Sequence, residues 1–344
     1  MMRRAVILGA IVGVGLTVAS VSAQRGGGLP PSGAIQKIKD NLYKIQGAGS
    51  NTTVFITEAG VVLVDTKLAN NGEAIMNQVK TVTDKPVSLI VNTHSHPDHM
   101  GSNDYFPPTV EKVTHVNAQK QMAANPQYAS NAAVMPTKTF TDKMTIGKGK
   151  DQVDLYYFGA GHTNGDTFVV FKDARALCVG DLMAWNMAPL IDPQAGGSVI
   201  ALGETFAKAE KGIPDVDLVI EGHGNVNTWQ GMRAYGDFMR TLVETARQGL
   251  AKGLTTEQAL AELKKNERFA VFLGTERLKD LEYGDTPSNR ALINLNVAYQ
   301  ELRGEPVTTY FGPPQSIGPQ KGSAPAPAPR GGGPGRGAAP PPAK

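Results

Sequence analysis

His94-Ser95-His96-Pro97-Asp98-His99 follows almost directly on Val87-Ser88-Leu89-Ile90-Val91, with Asn92-Thr93 between them. The near-continuous apolar run reads as a strand buried on both faces, where alternation is not needed. It opens into three imidazoles and one carboxylate within six residues. Imidazole and carboxylate at short spacing, leaving a rigid strand, are the donors a divalent transition metal needs. Asn, Ser, Pro and Gly around them let the loop aim several side chains at one point. The whole chain of 344 residues holds only six histidines, so half of its supply stands in this stretch.

Outward from it, three more strand ends repeat the arrangement. Val153-Asp154-Leu155-Tyr156-Tyr157-Phe158 leads to Gly159-Ala160-Gly161-His162-Thr163. Leu177-Cys178-Val179-Gly180 ends in Asp181, and Leu218-Val219-Ile220-Glu221-Gly222 ends in His223-Gly224. Each alone is weak, since a single histidine past a strand is usually an edge residue. Together these elements use five of the six histidines. Further strands are expected at Leu42-Tyr43-Lys44-Ile45, Thr53-Val54-Phe55-Ile56, Val61-Val62-Leu63-Val64, at 167–171 and at 176–179. Helices are expected at 72–82, 199–209, 229–252, 256–265 and 289–302. Alternating strands and helices predict an α/β or α+β domain, with its polar chemistry just past strand ends, where loops on a rigid scaffold carry function.

The order His94-x-His96-x-Asp98-His99, Gly161-His162-Thr163, Gly180-Asp181 and Gly222-His223-Gly224, across roughly residues 40–225, resembles the metallo-β-lactamase superfamily. The resemblance implies a four-layer αβ/βα sandwich with a metal site at one edge between two sheets. Carried over position by position, it implies that His94, His96 and His162 hold a first metal. Asp98, His99 and His223 would hold a second, with Asp181 bridging the two. Asp65, at the end of the Val64-Asp65-Thr66 strand, would orient a ligand. His115 matches no element of the family and reads as a packing residue. Cys178, three residues before Asp181 on a strand, faces away from it and reads as buried packing. Met183, Trp185, Asn186 and Met187 follow a proposed ligand and are candidates for the substrate pocket.

The donor set, without thiolate, suits two Zn2+ ions per chain, with iron or manganese as alternatives. A divalent ion with an open coordination position lowers the pKa of bound water to about 7, making hydroxide available at neutral pH. The expected reaction is attack of that hydroxide, shared between the metals, on an ester, lactone or amide carbonyl, with Asp98 and Asp181 in catalytic positions. The bridging Asp181 resembles the glyoxalase II and lactonase type of site, and the lysine that clamps a β-lactam carboxylate in one branch of the family is absent after Asp181. A β-lactam remains within the expected amide range. Two other readings stay open. Sulfur dioxygenases of the same superfamily hold a single iron through two histidines and one aspartate, and a non-catalytic metal-binding protein could keep the fold.

The chain ends read differently from the middle. Arg3 and Arg4 precede an uncharged apolar segment at 5–19, and Val21-Ser22-Ala23 carries the small residues a signal peptidase needs. A signal peptide over 1–23, cleaved before Gln24, is expected, and with it a periplasmic or secreted protein; an uncleaved anchor would need a longer apolar run of about 20 residues. The pair Arg3-Arg4 leaves both the general and the twin-arginine export routes open. Residues 24–33 are expected to be flexible. From Ser316 to Lys344, 15 of 29 residues are Gly or Pro, and 314–344 is expected to be a disordered tail. Without both ends the formal charge falls from +3 to −3, with 28 basic and 31 acidic residues over 24–315. That balance argues against nucleic acid as a partner, as export argues against a membrane partner once the signal is removed; a small-molecule substrate is expected. One cysteine excludes an intramolecular disulfide. The domain is placed at 34–313, with a helical segment at 229–302 beside the mouth of the site.

Overall fold

The computed structural model describes residues 31–275 and 286–307. The expected signal peptide at 1–23 and tail at 314–344 lie outside the described residues, as do the stretches 276–285 and 308–313 of the expected domain.

Two sheets form the centre. The first holds seven strands in sequence order: β1 (Ile35–Lys39), β2 (Leu42–Ile45), β3 (Thr52–Ile56), β4 (Val61–Val64), β5 (Val87–Val91), β6 (Glu111–His115) and β7 (Lys138–Phe140). Strands β1 to β4 pair antiparallel, and β4 to β7 pair parallel. The second sheet is built from β8 (Lys143–Ile146), β9 (Val153–Tyr156), β10 (Phe168–Phe171), β11 (Ala176–Cys178), β12 (Leu218–Ile220) and β13 (Val226–Thr228), in the order β13-β12-β11-β10-β9-β8. Only its β11–β12 pair is parallel. Hence β9, β11 and β12 run the same way, and the loops that follow them leave at one end of the sheet.

Helices cover both outer faces. On the side of the first sheet these are α1 (Gly72–Val79), α2 (Pro97–Met100), α3 (Val116–Ala124) and α4 (Pro126–Ala129); on the side of the second they are α5 (Val199–Gly212), α6 (Trp229–Ala251), α7 (Thr256–Leu263) and α8 (Pro287–Arg303). Three apolar cores separate the four layers. Ile75 and Val79 of α1 pack on Val54, Leu63 and Ile90. Phe55, Val64, Val91, Leu155, Val169 and Ile220 fill the space between the sheets. The largest core lies between the second sheet and α5 to α8. The expected αβ/βα sandwich is therefore the observed architecture.

Helix α6 shows why the last layer holds. Met232, Tyr235, Phe238, Met239, Leu242, Val243 and Ala246 are buried, a 3–4 spacing that makes one apolar stripe. The ring of Phe238 stacks on Phe272 at 4.9 Å between centroids. Thr228, Thr255 and Thr286 cap α6, α7 and α8 through their hydroxyls, and Gly304 ends α8 in the left-handed region. Phe238→Ala should cost about 3–5 kcal/mol, as emptying a closed aromatic site does. Urea unfolding checks this; a loss under about 1 kcal/mol would show that the layer collapses to fill the space.

Candidate metal centre

The loops leaving β5, β9, β11 and β12 bring together all seven side chains singled out as ligands, and the end of β4 adds Asp65. Residues of the histidine-rich stretch are not all loop. His96 precedes α2, with Pro97 at its first position, so Asp98 and His99 are carried on a helical turn. Asp181 lies on a 3-10 turn directly after β11. Two glycines permit the close approach. Gly180 adopts φ +52°, and a Cβ there would stand 2.6 Å from Thr93 Oγ1; a Cβ on Gly222 would collide with the Asp181 carboxylate.

Three overlapping groups could each hold an ion: His94 with His96 and His162; His94 with His99 and Asp181; and Asp98 with His99 and His223. Within each group the donor atoms lie within 4.8 Å of one another. Asp181 stands between the two ends of the cluster. Its Oδ1 is 3.1 Å from His99 Nε2, and its Oδ2 is 3.3 Å from His223 Nε2 and 3.8 Å from His162 Nε2. Asp98 Oδ2 lies 3.2 Å from His223 Nε2 and 3.6 Å from His99 Nε2.

The outer nitrogen of four of these imidazoles is engaged by an acceptor, which fixes the tautomer. His99 Nδ1 lies 2.7 Å from Asp65 Oδ2. Thr93 donates its own hydroxyl to that same oxygen and its backbone N–H to Asp65 Oδ1, both at 2.8 Å, so its Oγ1 is left to accept from His94 Nδ1 at 3.0 Å. His162 Nδ1 donates to the carbonyl of Leu190. His96 Nε2 lies 2.9 Å from Asp192 Oδ2. In each neutral ring the inner nitrogen is thereby the one that offers a lone pair to a cation. His96 Nδ1 and His162 Nε2 then face each other at 2.9 Å, an arrangement that a cation between lone pairs relieves. His94 Nε2 is buried with no hydrogen-bond partner, and His99 Nε2 and Asp181 Oδ1, buried 3.1 Å apart, have only each other. Each such group costs about 1–3 kcal/mol unless something compensates it. The donor set fits a cation without further rearrangement.

The electrostatics divide the site in two. Burial first, then the neighbouring imidazoles, pushes His94 well below its ordinary pKa and His162 down to about 4. For His99 and His223 burial opposes the charged form, but Asp181 and Asp98 override it; His99 is raised well above its usual value and His223 to about 10. Burial likewise opposes ionisation of Asp98 and Asp181, and the positive charge on His99 and His223 holds both below the usual carboxylate range. The carboxylate half of the cluster thus demands positive charge, as protons or as metal.

Beside the cluster, a cavity of about 250 Å³ is lined by His96, Asp98, His162, Asp181 and His223 together with Pro97, Ala184, Trp185, Leu190, Asp192 and Arg290. Trp185 stacks on the His223 ring at 4.7 Å. It and Asn186 both lie in the left-handed region, at φ +54° and +53°, in a turn closed by a bridge between Ala184 and Met187. Asn186 accepts from Asn227 Nδ2 at 2.8 Å and lines the neighbouring groove rather than the metal cavity. Met183, expected in the pocket, is fully buried in the core under α5 and α6, and Met187 is fully buried as well; an unbranched apolar side chain gains more from packing than from a polar cavity wall. Cys178 faces the inter-sheet core, and burial pushes its thiol up to about 12. His115 accepts from the Asn117 backbone, lies 2.8 Å from the Thr141 carbonyl, and stacks on Tyr157 at 3.9 Å, away from the cluster.

The sequence reading did not single out Thr93, Glu221 or Arg290, and it gave Asp192, in the 189–198 stretch that resembles exported hydrolases of the superfamily, no role at the metal site. Glu221 is buried beside Lys44, accepts from Asn227 at 3.1 Å, and is pushed up to about 7 chiefly by burial. Its hydrogen bonds to the backbone of Trp185 and Asn186 hold the strained turn.

A sandwich of this layering with donors at these strand ends is a metallo-hydrolase scaffold. The family model described as metallo-beta-lactamase superfamily matches residues 46–224, and the chain belongs to that superfamily. A curated relative, metallo-beta-lactamase type 2 of Elizabethkingia meningoseptica, is 25% identical over 222 residues, covering 62% of this chain and 86% of the relative. Among solved structures, a metallo-beta-lactamase from Pontibacter korlensis aligns with a TM-score of 0.52 at 21% identity, over 60% of this chain and 98% of that one. A stereoselective inverting sec-alkylsulfatase from Pseudomonas sp. aligns with a TM-score of 0.63 at 17% identity, over 83% of this chain and 52% of that one. At these identities the two solved structures show the shared fold.

Proposed function

We propose that this chain is an exported, dinuclear zinc-dependent hydrolase of an ester, lactone or amide. One observation carries the reading: Asp181 stands between a three-histidine group and an Asp98–His99–His223 group, with inner nitrogens aimed at the space they enclose. His94, His96 and His162 would hold one zinc, Asp98, His99 and His223 the other, with Asp181 shared. Zinc bound there supplies an acidified water and Lewis-acid stabilisation of a carbonyl oxygen. Asp98 uses Oδ2 toward His99 and His223, so its Oδ1 is the atom proposed to take a proton from water and return it to the leaving group. Trp185 and Leu190 form the apolar walls that limit solvent around the reacting carbonyl.

A panel of lactones, esters, thioesters, phosphoesters and a chromogenic cephalosporin, run on zinc-loaded protein, tests the reading. Turnover of carbonyl substrates that chelation abolishes and zinc restores supports it; failure on every carbonyl substrate contradicts it. Chelation should also destabilise the fold. Relative to protein in zinc at 1,000 times the Kd of each site, metal-free protein should lose about 4 kcal/mol of unfolding free energy per bound ion, about 8 for two, read by urea titration. An unchanged midpoint would show that no ion is bound.

The group His94, His99 and Asp181 favours a second reading, because two histidines and one carboxylate with open positions also suit a single iron. Oxygen uptake with a persulfide substrate would support that dioxygenase. Export is tested by sequencing the mature N-terminus, which should begin at Gln24. Among the described residues no helix is long and apolar enough to cross a membrane. The proposed partner is a small molecule, with no nucleic acid.

A further inference from the structure

The loop between β2 and β3 holds none of the seven ligands, yet it touches two of the elements that carry them. The Ser50 backbone N–H donates to the Asp98 carbonyl at 3.3 Å, and a Cβ on Gly49 would stand 2.7 Å from Asp98 Cβ. One residue further on, Asn51 brackets His223. Its backbone N–H donates to the Gly222 carbonyl at 2.7 Å, and its Nδ2 donates to the carbonyls of Glu221 at 2.9 Å and Gly224 at 3.1 Å. The separation of Asp98 from His223 therefore follows the path of residues 49–51.

Local preference does not hold that path. Gly47, Ala48 and Gly49 all lie in the left-handed region, at φ +89°, +54° and +97°, where an alanine is sterically disfavoured. What holds the loop is a side chain from the far side of β4. Lys67 is fully buried, and its Nζ donates to the carbonyls of Ile45 at 2.8 Å, Gly47 at 2.7 Å and Ser50 at 2.7 Å. An ammonium presents three donors from one point, and its bonds to carbonyls are charge-assisted. The backbone beside Lys67 is tied in turn to α2. The Lys67 carbonyl accepts from the Gly101 N–H at 2.9 Å, and the Thr66 N–H donates to the His99 carbonyl at 2.7 Å. One side chain thus links the turn that carries Asp98 and His99 to the loop that brackets His223.

We infer that Lys67 is a positioning residue for the metal ion held by Asp98, His99 and His223. Its ammonium fixes the path of residues 46–51, and that path fixes Asp98 relative to His223. The inference rests on the two-ion reading of the centre and is independent of the reaction.

Zinc titrations against a chromophoric chelator, run on wild type, Lys67→Met and Asp98→Ala, test it. Asp98→Ala marks which of the two affinities belongs to the Asp98–His99–His223 end. In Lys67→Met that affinity should fall about tenfold, the lower end of what a ligand's supporting partners are worth, while the other affinity stays at its wild-type value. The direction is diagnostic, because by charge alone the loss of a cation favours a bound metal ion. Tighter or unchanged binding at that end overturns the proposal. Equal losses at both ends also overturn it, since they mark a general loosening of the fold. Lys67→Arg keeps the charge but spreads its donors over a planar fork; it should fall between and serves if the methionine variant does not fold. Should neither fold, Gly49→Ala decides: its Cβ must displace the loop from Asp98 and should weaken the same ion, and wild-type affinity there overturns the proposal. A wild type that binds a single ion fails the two-ion reading. The proposal then stands if Lys67→Met and Asp98→Ala both weaken that ion, and falls if either leaves it unchanged or if wild type binds no ion.

Discussion

Asp181→Ala is expected to leave the chain with one metal ion in place of two and to reduce hydrolysis by more than about 100-fold, the upper end of what loss of an outer partner of a ligand costs. The side chain touches both halves of the cluster, at 3.1 Å from His99 Nε2, 3.3 Å from His223 Nε2 and 3.8 Å from His162 Nε2. Its removal takes one negative charge from a space that must hold two cations. Asp98 alone would then face His99 and His223, so the loss should fall on the Asp98–His99–His223 end, while His94, His96 and His162 keep their own partners. Metal content by elemental analysis and turnover, measured on the same preparation, check this. Two ions retained at full activity would remove Asp181 from the centre.

Asp65→Asn should come second in size, with a fall of about 10- to 100-fold in affinity for that same ion. Asp65 touches no substrate. Its Oδ2 accepts from His99 Nδ1 at 2.7 Å and from Thr93 Oγ1 at 2.8 Å, and its Oδ1 accepts from the Thr93 backbone. An amide can keep only one of these oxygens as an acceptor. If the NH2 replaces Oδ2, it meets two donors and His99 loses the bond that keeps its Nε2 free for metal. If it replaces Oδ1, the backbone of the strand end loses its acceptor. Zinc affinity by competition with a chromophoric chelator reads the effect, and wild-type affinity in the variant would show that His99 needs no such partner.

Much of this centre is legible in the chain because its ligands are local. Three imidazoles stand within six residues, and the others follow apolar strands ending in Gly-rich turns. Strands β4 and β5 read clearly because burial on both faces leaves their residues almost wholly apolar. Strand β6 does not, because Glu111 and Lys112 interrupt it although Lys112 is only 2% exposed. The short strands β1, β7 and β8 carry lysines at the sheet edges and give no apolar run. Helix α1 ends at Val79, earlier than 82, because the β-branched Thr81-Val82-Thr83 and then Pro86 favour leaving the helix.

What the sequence does not reveal is what depends on distant contacts. Asp192 meets His96 across 96 positions, and a lone carboxylate in a Pro- and Gly-rich loop carries no local sign of that role. Arg290 is the same case on α8. Met183 and Trp185 are two residues apart, yet one fills the core and the other stacks on His223; the left-handed turn at Trp185 and Asn186 makes that difference, and bulky residues rarely show such backbone in advance.

The identity and number of metal ions in the purified protein test the centre most directly. Elemental analysis of protein prepared without added metal should give two zinc ions per chain, falling to one in Asp181→Ala. No transition metal at all, or a single iron per chain, would contradict a dinuclear zinc hydrolase.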